Sequence, residues 1–147
     1  MTLNFSPGMI SRKPLLLIGG LIFLLIIMFA PFKLIIAEKR AFKVVDSKGI
    51  PIREALVRQI WDQYSLHYRK EEVHKTDFEG YVFLPERAIK TKLFVLVSGA
   101  IRNVLEYTIH ASISSSDSVG VSAEGYEWRW FFDGEGLESG IVVLKKK

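Results

Sequence analysis

The stretch HKTDFEGYVFLPER, residues 74–87, decides how this chain is organised. A charged segment ends there, an acid-and-glycine bend follows, and a β-prone apolar run ends at a proline. Asp77 can accept hydrogen bonds from backbone N–H groups ahead of it, and Gly80 can adopt the positive φ that closes the bend. The alternative is a site in which Asp77 and Glu79 bind a metal or exchange protons, but no further oxygen ligands follow at calcium-loop spacing. We therefore interpret Asp77 and Gly80 as structural turn residues, with Phe78 covering the edge of the core.

The segment before this bend, residues 52–75, fits two kinds of secondary structure. Leu56, Ile60 and Tyr64 recur every four residues, which is typical of an amphipathic helix, and this periodicity is slightly the better match. The same residues also fall on one face of a strand, and the neighbouring segments are β-prone. The context therefore favours strands.

The rest of the soluble part consists of short β-prone segments joined by turn-forming residues. Glycine and serine recur between these segments, which is typical of a β-sandwich. The apolar segment at 92–101 is too short and too interrupted to be a membrane span. In order, we predict strands at 41–46, 81–85 and 104–113, a turn or loop at 114–120, a strand within 121–132 and a tight turn at 133–136.

An apolar block near the start of the chain predicts a membrane anchor. Residues 14–32 contain no charged or polar side chain, and 19 residues of helix would be about 28 Å long, close to the thickness of the hydrocarbon core. We assign 1–13 to a short tail, 14–37 to a transmembrane helix in contact with membrane lipid, and 38–147 to one domain. A cleaved signal peptide is the rival interpretation, but no Ala-x-Ala site follows the block. We therefore predict an uncleaved anchor.

The charges bear on orientation and on partners. Arg12 and Lys13 precede the apolar block and more basic residues follow it, which by the positive-inside rule favours a cytoplasmic C-terminal domain. Large domains, however, translocate largely regardless of such charges. We predict a single-pass protein whose C-terminal domain is extracytoplasmic, on the periplasmic side. All 16 acidic residues lie at or after Glu38, so the net charge of +4 leaves that domain nearly neutral and predicts no nucleic-acid partner.

Two stretches resemble the carboxypeptidase regulatory-like domain family. They are VVDSKGIPIREALVRQIWDQYS (44–65) and KTDFEGYVFLPER (75–87), and they are also similar to a group of small bacterial envelope proteins. The likeness is good over 41–90 and loose over 91–120. It implies a seven-stranded antiparallel prealbumin-like β-sandwich, so that 52–75 forms strands, and a non-catalytic, usually exported module. The residues that carry the likeness are Val45, Asp46, Gly49, Pro51, Ile52, Ala55, Val57, Thr76, Asp77, Gly80, Val82 and Pro85.

No arrangement of residues in the sequence predicts catalysis, a cofactor or a metal site. The chain has no cysteine, and His67, His74 and His110 do not follow a metal-binding spacing. The prealbumin-like fold also occurs in hydroxyisourate hydrolases, which end in a Tyr-Arg-Gly-Ser motif. This chain ends in three lysines instead, so an enzyme of that kind is the least favoured of three functions.

The aromatic residues are the better indication of function. Strand alternation places Tyr126, Trp128, Trp130 and Phe132 on one face of their segment. A small sandwich needs large side chains in its core, which favours burial of this row and of Trp61. If exposed, the row is a surface for a protein partner or a stacking platform for sugar rings. We predict a non-enzymatic envelope module that binds or scaffolds a protein, with glycan binding as the alternative.

Overall fold

The computed structural model describes residues 12–107 and 113–147 of the chain. Nine strands and two α-helices lie in these ranges, together with a short 3₁₀ turn at Tyr64–Leu66. In chain order the elements are α1 (Arg12–Phe29), β1 (Pro31–Ala37), β2 (Arg40–Asp46), β3 (Leu56–Gln63), β4 (Tyr68–Lys75), β5 (Tyr81–Leu84), β6 (Arg87–Lys92), α2 (Leu93–Tyr107), β7 (Ser115–Ser122), β8 (Arg129–Phe132) and β9 (Ile141–Leu144).

The strands form two main sheets and a two-stranded ribbon. One sheet has the order β4-β3-β7-β8 and is antiparallel throughout, the second has the order β5-β2-β9, and β1 pairs with β6. In the second sheet β2 and β9 run parallel. The predicted all-β, seven-stranded antiparallel fold is therefore wrong, because the described part of the chain is mostly β but contains two helices and a parallel strand pair.

The two main sheets share one apolar core, which gives a β-sandwich-like arrangement. Phe42, Leu84 and Leu144 from the second sheet and Val57 and Val119 from the four-stranded sheet belong to one buried cluster. A smaller cluster around Trp61 includes Ile36 and Ala37. The prediction that Trp61 lies in the core is confirmed.

The N-terminal apolar segment changes from helix to strand at Pro31. The amide of Ala30 donates to the carbonyl of Ile26 at 2.8 Å, closing the last turn of α1. Proline has no N–H group with which to continue a helix, and residues 31–37 pair with β6 instead. Among the residues that the structure describes, no helix is long and apolar enough to cross a membrane. The predicted transmembrane helix at 14–37 is therefore wrong.

The segment at 93–107 is helical, and its last four residues, 104–107, belong to a segment for which we predicted strand. In α2, Leu96, Gly99, Ala100 and Asn103 are buried at spacings of three and four residues, which defines one helical face. This face packs against the 3₁₀ turn, and a Cβ atom on Gly99 would lie only 2.0 Å from the carbonyl oxygen of Ser65. Packing thus outweighs the β-propensity of this segment. The remainder of the predicted strand, residues 108–112, lies outside the described residues.

The serine-rich segment at 114–120, predicted as a loop, forms most of strand β7. It lies between β3 and β8, and it pairs with β3 along its whole length and with β8 over residues 118–121. Val119 and Val121 point into the core, so two apolar side chains and two neighbouring strands define the conformation of a segment with weak intrinsic preference. By contrast, the prediction of strands within 52–75 is confirmed by β3 and β4.

An ion pair joins the middle strand of one main sheet to an inner strand of the other. Arg40 at the start of β2 donates to the carboxylate of Asp117 in β7 through both terminal nitrogens, and both side chains are largely buried. Gly134 makes room for the guanidinium group, because a Cβ atom there would lie 2.6 Å from Nη2 of Arg40. A buried ion pair of this kind restricts how one sheet can slide over the other.

Candidate functional surface

The register of β8 places the aromatic row on the outer face of the four-stranded sheet. Trp130 is opposite Gly120 of β7, which in turn is opposite Arg58 of β3. Phe132 is opposite Ser118 in the same way. Residues opposite one another in a sheet share a face, so these side chains lie together on the side away from the core.

The aromatic side chains of this row are exposed, with one exception. Trp128 is 54% exposed, Trp130 39% and Phe132 64%, whereas Phe131 between them is buried in the core. Tyr126 is partly buried and packs against the core, and its backbone forms a bridge with Lys146. The prediction of a buried row is therefore wrong for these three residues, because Phe131 occupies the inward position of β8.

The two indole rings form a defined pair. Their centroids are 6.2 Å apart and their planes are inclined by 29°. The ring of Trp130 lies over the backbone of Gly120, where a Cβ atom would come within 2.8–3.0 Å of three ring atoms. A glycine inside a strand often marks such a close approach. Gly120 therefore determines where the Trp130 ring can lie.

A basic side chain borders the indole pair. The guanidinium carbon of Arg58 lies 5.8 Å from the ring centroid of Trp128, within the range of a cation–π contact. Arg58 is also held by Glu71 on β4, at 3.3 Å between nitrogen and oxygen. Exposed apolar residues from β3 and β4 extend the surface. We call the set Leu56, Arg58, Val73, Trp128, Trp130 and Phe132 the aromatic face.

Two contacts on the far side of β8 hold the indole-bearing segment in place. Nη1 of Arg129 donates to the carbonyl of Val143 at 3.1 Å, and the amide of Glu127 donates to the carbonyl of Lys145 at 2.8 Å. A shallow depression of about 350 Å³ lies between these two segments. Strand β9 and the residue after it therefore support this segment on the side opposite the aromatic face.

Asp77 and Gly80 close the turn between β4 and β5. Oδ1 of Asp77 accepts hydrogen bonds from the amides of Glu79 at 2.9 Å and Tyr81 at 2.8 Å. Gly80 has φ of 82°, and a Cβ atom there would lie 2.6 Å from the carbonyl oxygen of Val44. Phe78 is 75% exposed at the tip of the turn, so the prediction that it covers the core edge is wrong.

The two histidines in the described part of the chain lie in different surroundings. His67 is hydrogen-bonded through Nε2 to Oδ1 of Asn103 at 2.6 Å, beside a cavity of about 490 Å³ between the 3₁₀ turn and α2. His74 lies 3.2 Å from a carboxylate oxygen of Glu72. His110 falls outside the described residues. Within the ranges 12–107 and 113–147, no three His, Asp or Glu side chains are placed to hold a metal ion.

The sequence did not indicate the place of Arg58 in the aromatic face or of Gly120 beneath it. Arg58 lies in the ambiguous segment 52–75, and its place beside Trp128 depends on the pairing of three strands. Gly120 ends the segment 114–120, which the sequence predicts as a turn or loop. Gly120 lies between two valines, which favour strand, and a glycine inside a strand often marks close contact with another group.

Comparisons with known proteins show neither a family nor a function. No family model matches the chain, and no curated protein matches it. Among solved structures it is similar to 3-chlorocatechol 1,2-dioxygenase from Rhodococcus opacus 1CP, with 15% identity and a TM-score of 0.43. The match covers 74% of this chain and 59% of that one, so the chain spans less than two thirds of the enzyme's length. A likeness this low carries no argument.

Proposed function

We propose that this protein is a non-enzymatic binding module whose aromatic face contacts a partner protein. The observation that carries the proposal is the exposure of Trp128, Trp130 and Phe132 side by side on one sheet face, next to Arg58. Tryptophan and arginine are enriched among the residues that dominate protein–protein binding energy. Contiguous exposed apolar surface on a soluble domain is typical of an interaction site.

The rigidity of this surface supports the same proposal. Trp130 rests on Gly120, and Arg58 is held between Glu71 and the Trp128 ring. Side chains that are already ordered lose less conformational entropy when a partner binds. The resemblance to the carboxypeptidase regulatory-like family, which implies a non-catalytic exported module, agrees with a binding role at the cell envelope.

A glycan is the second candidate partner, favoured by one feature of the same face. Ser118 of β7 pairs with Phe132 of β8, and Ser116, on the same sheet face, donates through Oγ to Asp62 of β3 at 3.1 Å. Hydroxyl and carboxylate groups on the sheet face that carries the indole rings offer hydrogen bonds to sugar hydroxyls, and the indoles offer apolar faces for sugar rings. The two candidates make different predictions in the experiment below.

Site-specific photocrosslinking in cells tests the proposal. A benzophenone amino acid replacing Phe132 should form a discrete protein adduct, whereas the same probe replacing Phe78, which is also exposed but lies in the β4–β5 turn, should not. The Phe132 probe is then combined with Trp128→Ala and Trp130→Ala. Because the loss of a dominant aromatic contact costs about 2 kcal/mol of binding free energy, these changes should weaken binding about 30-fold or more and remove the adduct. Urea unfolding of each variant checks that the fold is intact.

The outcomes separate the three functions. Equal adducts at both probe positions contradict a specific protein site. Retention of cell-wall glycan that Trp128→Ala abolishes, without any protein adduct, favours the glycan candidate. Turnover of ester or amide substrates by the intact chain, lost in His67→Ala or His74→Ala, contradicts the non-enzymatic assignment.

The proposal includes an extracytoplasmic position for the sheets. It is supported by the family resemblance, and the basic residues after the apolar block oppose it. A phosphatase that is active only outside the cytoplasm, fused after Lys147, tests this part separately. An inactive fusion with a normally expressed chain contradicts the position but leaves the aromatic face as a binding surface.

A further inference from the structure

Helix α1 is apolar and exposed around its whole circumference. Every large apolar residue described between Leu15 and Phe29, except the half-buried Met28, is at least 44% exposed. A helix that is apolar on all sides must be covered on all sides. A second protein copy packed beside α1 would cover only one side of it, whereas the acyl chains of a membrane can cover the exposed apolar side chains of α1 together with those of a neighbouring element.

Helix α2 extends the same apolar surface. Its buried face packs on the 3₁₀ turn, but Phe94, Ile101, Val104 and Leu105 are exposed on another side, at spacings of 7, 3 and 1 residues. The rings of Phe29 and Phe94 stack with centroids 5.1 Å apart, which joins the end of α1 to the start of α2. We call α1 and these four residues of α2 the helical apolar surface.

A cluster of lysines lies at the base of α1, on the β1–β6 ribbon. Lys33 and Lys90 are directly opposite in register, and Lys92 is opposite Pro31 on the same face. Lys33 forms an ion pair with Glu86, whereas like charges facing each other across a strand pair are destabilising. An anionic group placed over this ribbon would relieve the repulsion.

We propose that the helical apolar surface, α2 included, contacts the acyl chains of an anionic lipid membrane, with the ribbon lysines at the level of the headgroups. The apolar surface suits the acyl chains of such a membrane, and the basic cluster beside it suits the anionic headgroups that border them. The contribution of α2 distinguishes this proposal from lipid contact by the N-terminal segment alone. It does not depend on the aromatic face.

The chain contains no cysteine, so single cysteines can carry an environment-sensitive fluorophore without any background change. The full chain labelled at Ile101→Cys or Leu105→Cys should shift its emission to the blue with anionic phosphatidylglycerol vesicles, and spin labels on the acyl chains should quench it. The control is Arg102→Cys, an exposed polar position on another side of α2. Its emission should remain that of a water-exposed probe and be quenched by iodide.

The lysines are tested by vesicle flotation. Lys90→Gln with Lys92→Gln should weaken binding to anionic vesicles about 25-fold, because each lysine near such a surface contributes a factor of about five. Lys146→Gln with Lys147→Gln removes the same charge from the C-terminus and should change binding less than twofold. Neutral phosphatidylcholine vesicles should not distinguish the two double variants.

Three results would overturn the proposal. The first is a probe at Ile101 or Leu105 that stays as accessible to iodide as the one at Arg102 while the chain floats with vesicles. The second is a blue shift at these probes on self-association without lipid, which would assign the surface to a second copy. The third is equal weakening by the two lysine double variants.

Discussion

Gln59 provides the most direct test of the cost of a buried polar group without a hydrogen-bond partner. Its side chain is completely buried on the inner face of β3, and neither its Nε2 nor its Oε1 atom has a hydrogen-bond partner. It lies two residues from Val57 in the main core cluster and two from Trp61 in the smaller one. The amide therefore interrupts otherwise apolar packing.

Replacing Gln59 with Met should stabilise the fold. An unsatisfied buried donor or acceptor costs about 1–3 kcal/mol, and Met has a similar length with no polar hydrogen-bonding group. Allowing about 1 kcal/mol for imperfect packing of the new side chain, we expect the free energy of unfolding to rise by about 2 kcal/mol. For a domain of this size that corresponds to an increase in Tm of about 7 °C.

Gln63 is the matched control on the same strand. It is also completely buried, but Nε2 donates to the carbonyls of Ile113 at 2.8 Å and Ser114 at 3.2 Å. Its Oε1 accepts from Oγ of Ser65 at 2.9 Å and from the amide of Leu66 at 3.1 Å. Gln63→Met removes four partners at once and should lower the free energy of unfolding by about 3 kcal/mol.

Urea unfolding followed by tryptophan fluorescence measures both changes with the same slope analysis. We expect the two identical substitutions, at equally buried positions, to change the free energy of unfolding in opposite directions. If Gln59→Met lowers the unfolding free energy by more than about 1 kcal/mol, the Gln59 amide is hydrogen-bonded in solution, and the claim that it lacks a partner is refuted. Equal destabilisation by the Gln59 and Gln63 variants would refute the same claim.

The remaining predictions concern an ion pair and two turns. Arg40→Met should lower the free energy of unfolding by about 3–4 kcal/mol in urea unfolding, because it leaves Asp117 buried and unpaired, and adding Asp117→Leu should restore most of the loss. Gly80→Ala should cost about 2 kcal/mol or more by the same measurement, from its positive φ and a backbone clash. The hydrogen bond from the Ile50 amide is the main cause that holds the pKa of Asp46 below its ordinary value of 3.8. That stabilisation should be present above pH 4 and lost as pH falls through the folded-state pKa, so Asp46→Asn should flatten the acid limb of the stability profile.

Each of these has its own control. If adding Asp117→Leu to Arg40→Met does not restore the free energy of unfolding, the ion pair is required for the packing of the two sheets, and the explanation by an unpaired buried carboxylate is wrong. Gly49 also has a φ of 80°, but no atom lies within 4 Å of a Cβ built there. Gly49→Ala should therefore lower the free energy of unfolding less than Gly80→Ala does. Equal losses would contradict the backbone clash at Gly80. An unchanged acid limb in Asp46→Asn would show that other carboxylates dominate there.

Local chemistry predicted the β4–β5 turn and the strand that follows it, whereas strand β4 was predicted from its neighbours and from the family resemblance. The Asp77–Gly80 bend depends on hydrogen bonds and a φ value within a few residues, and the structure shows both. The apolar segments were less informative. Residues 31–37 and 93–107 are both mainly apolar, yet one is a strand and the other is a helix. Their partners, β6 and the 3₁₀ turn, decided this through packing that periodicity does not encode.

The sequence alone determined that Trp128, Trp130 and Phe132 share one face, because side chains alternate along any extended segment. It also determined the turn residues, whose conformations depend on their own backbone and near neighbours. Only the tertiary structure decided that this face points outward, because the outcome depends on which side of β8 the second sheet packs against. It likewise decided that Gly120 lies under one indole and Arg58 beside the other, since the first contact depends on the register between two strands and the second joins residues far apart in the chain.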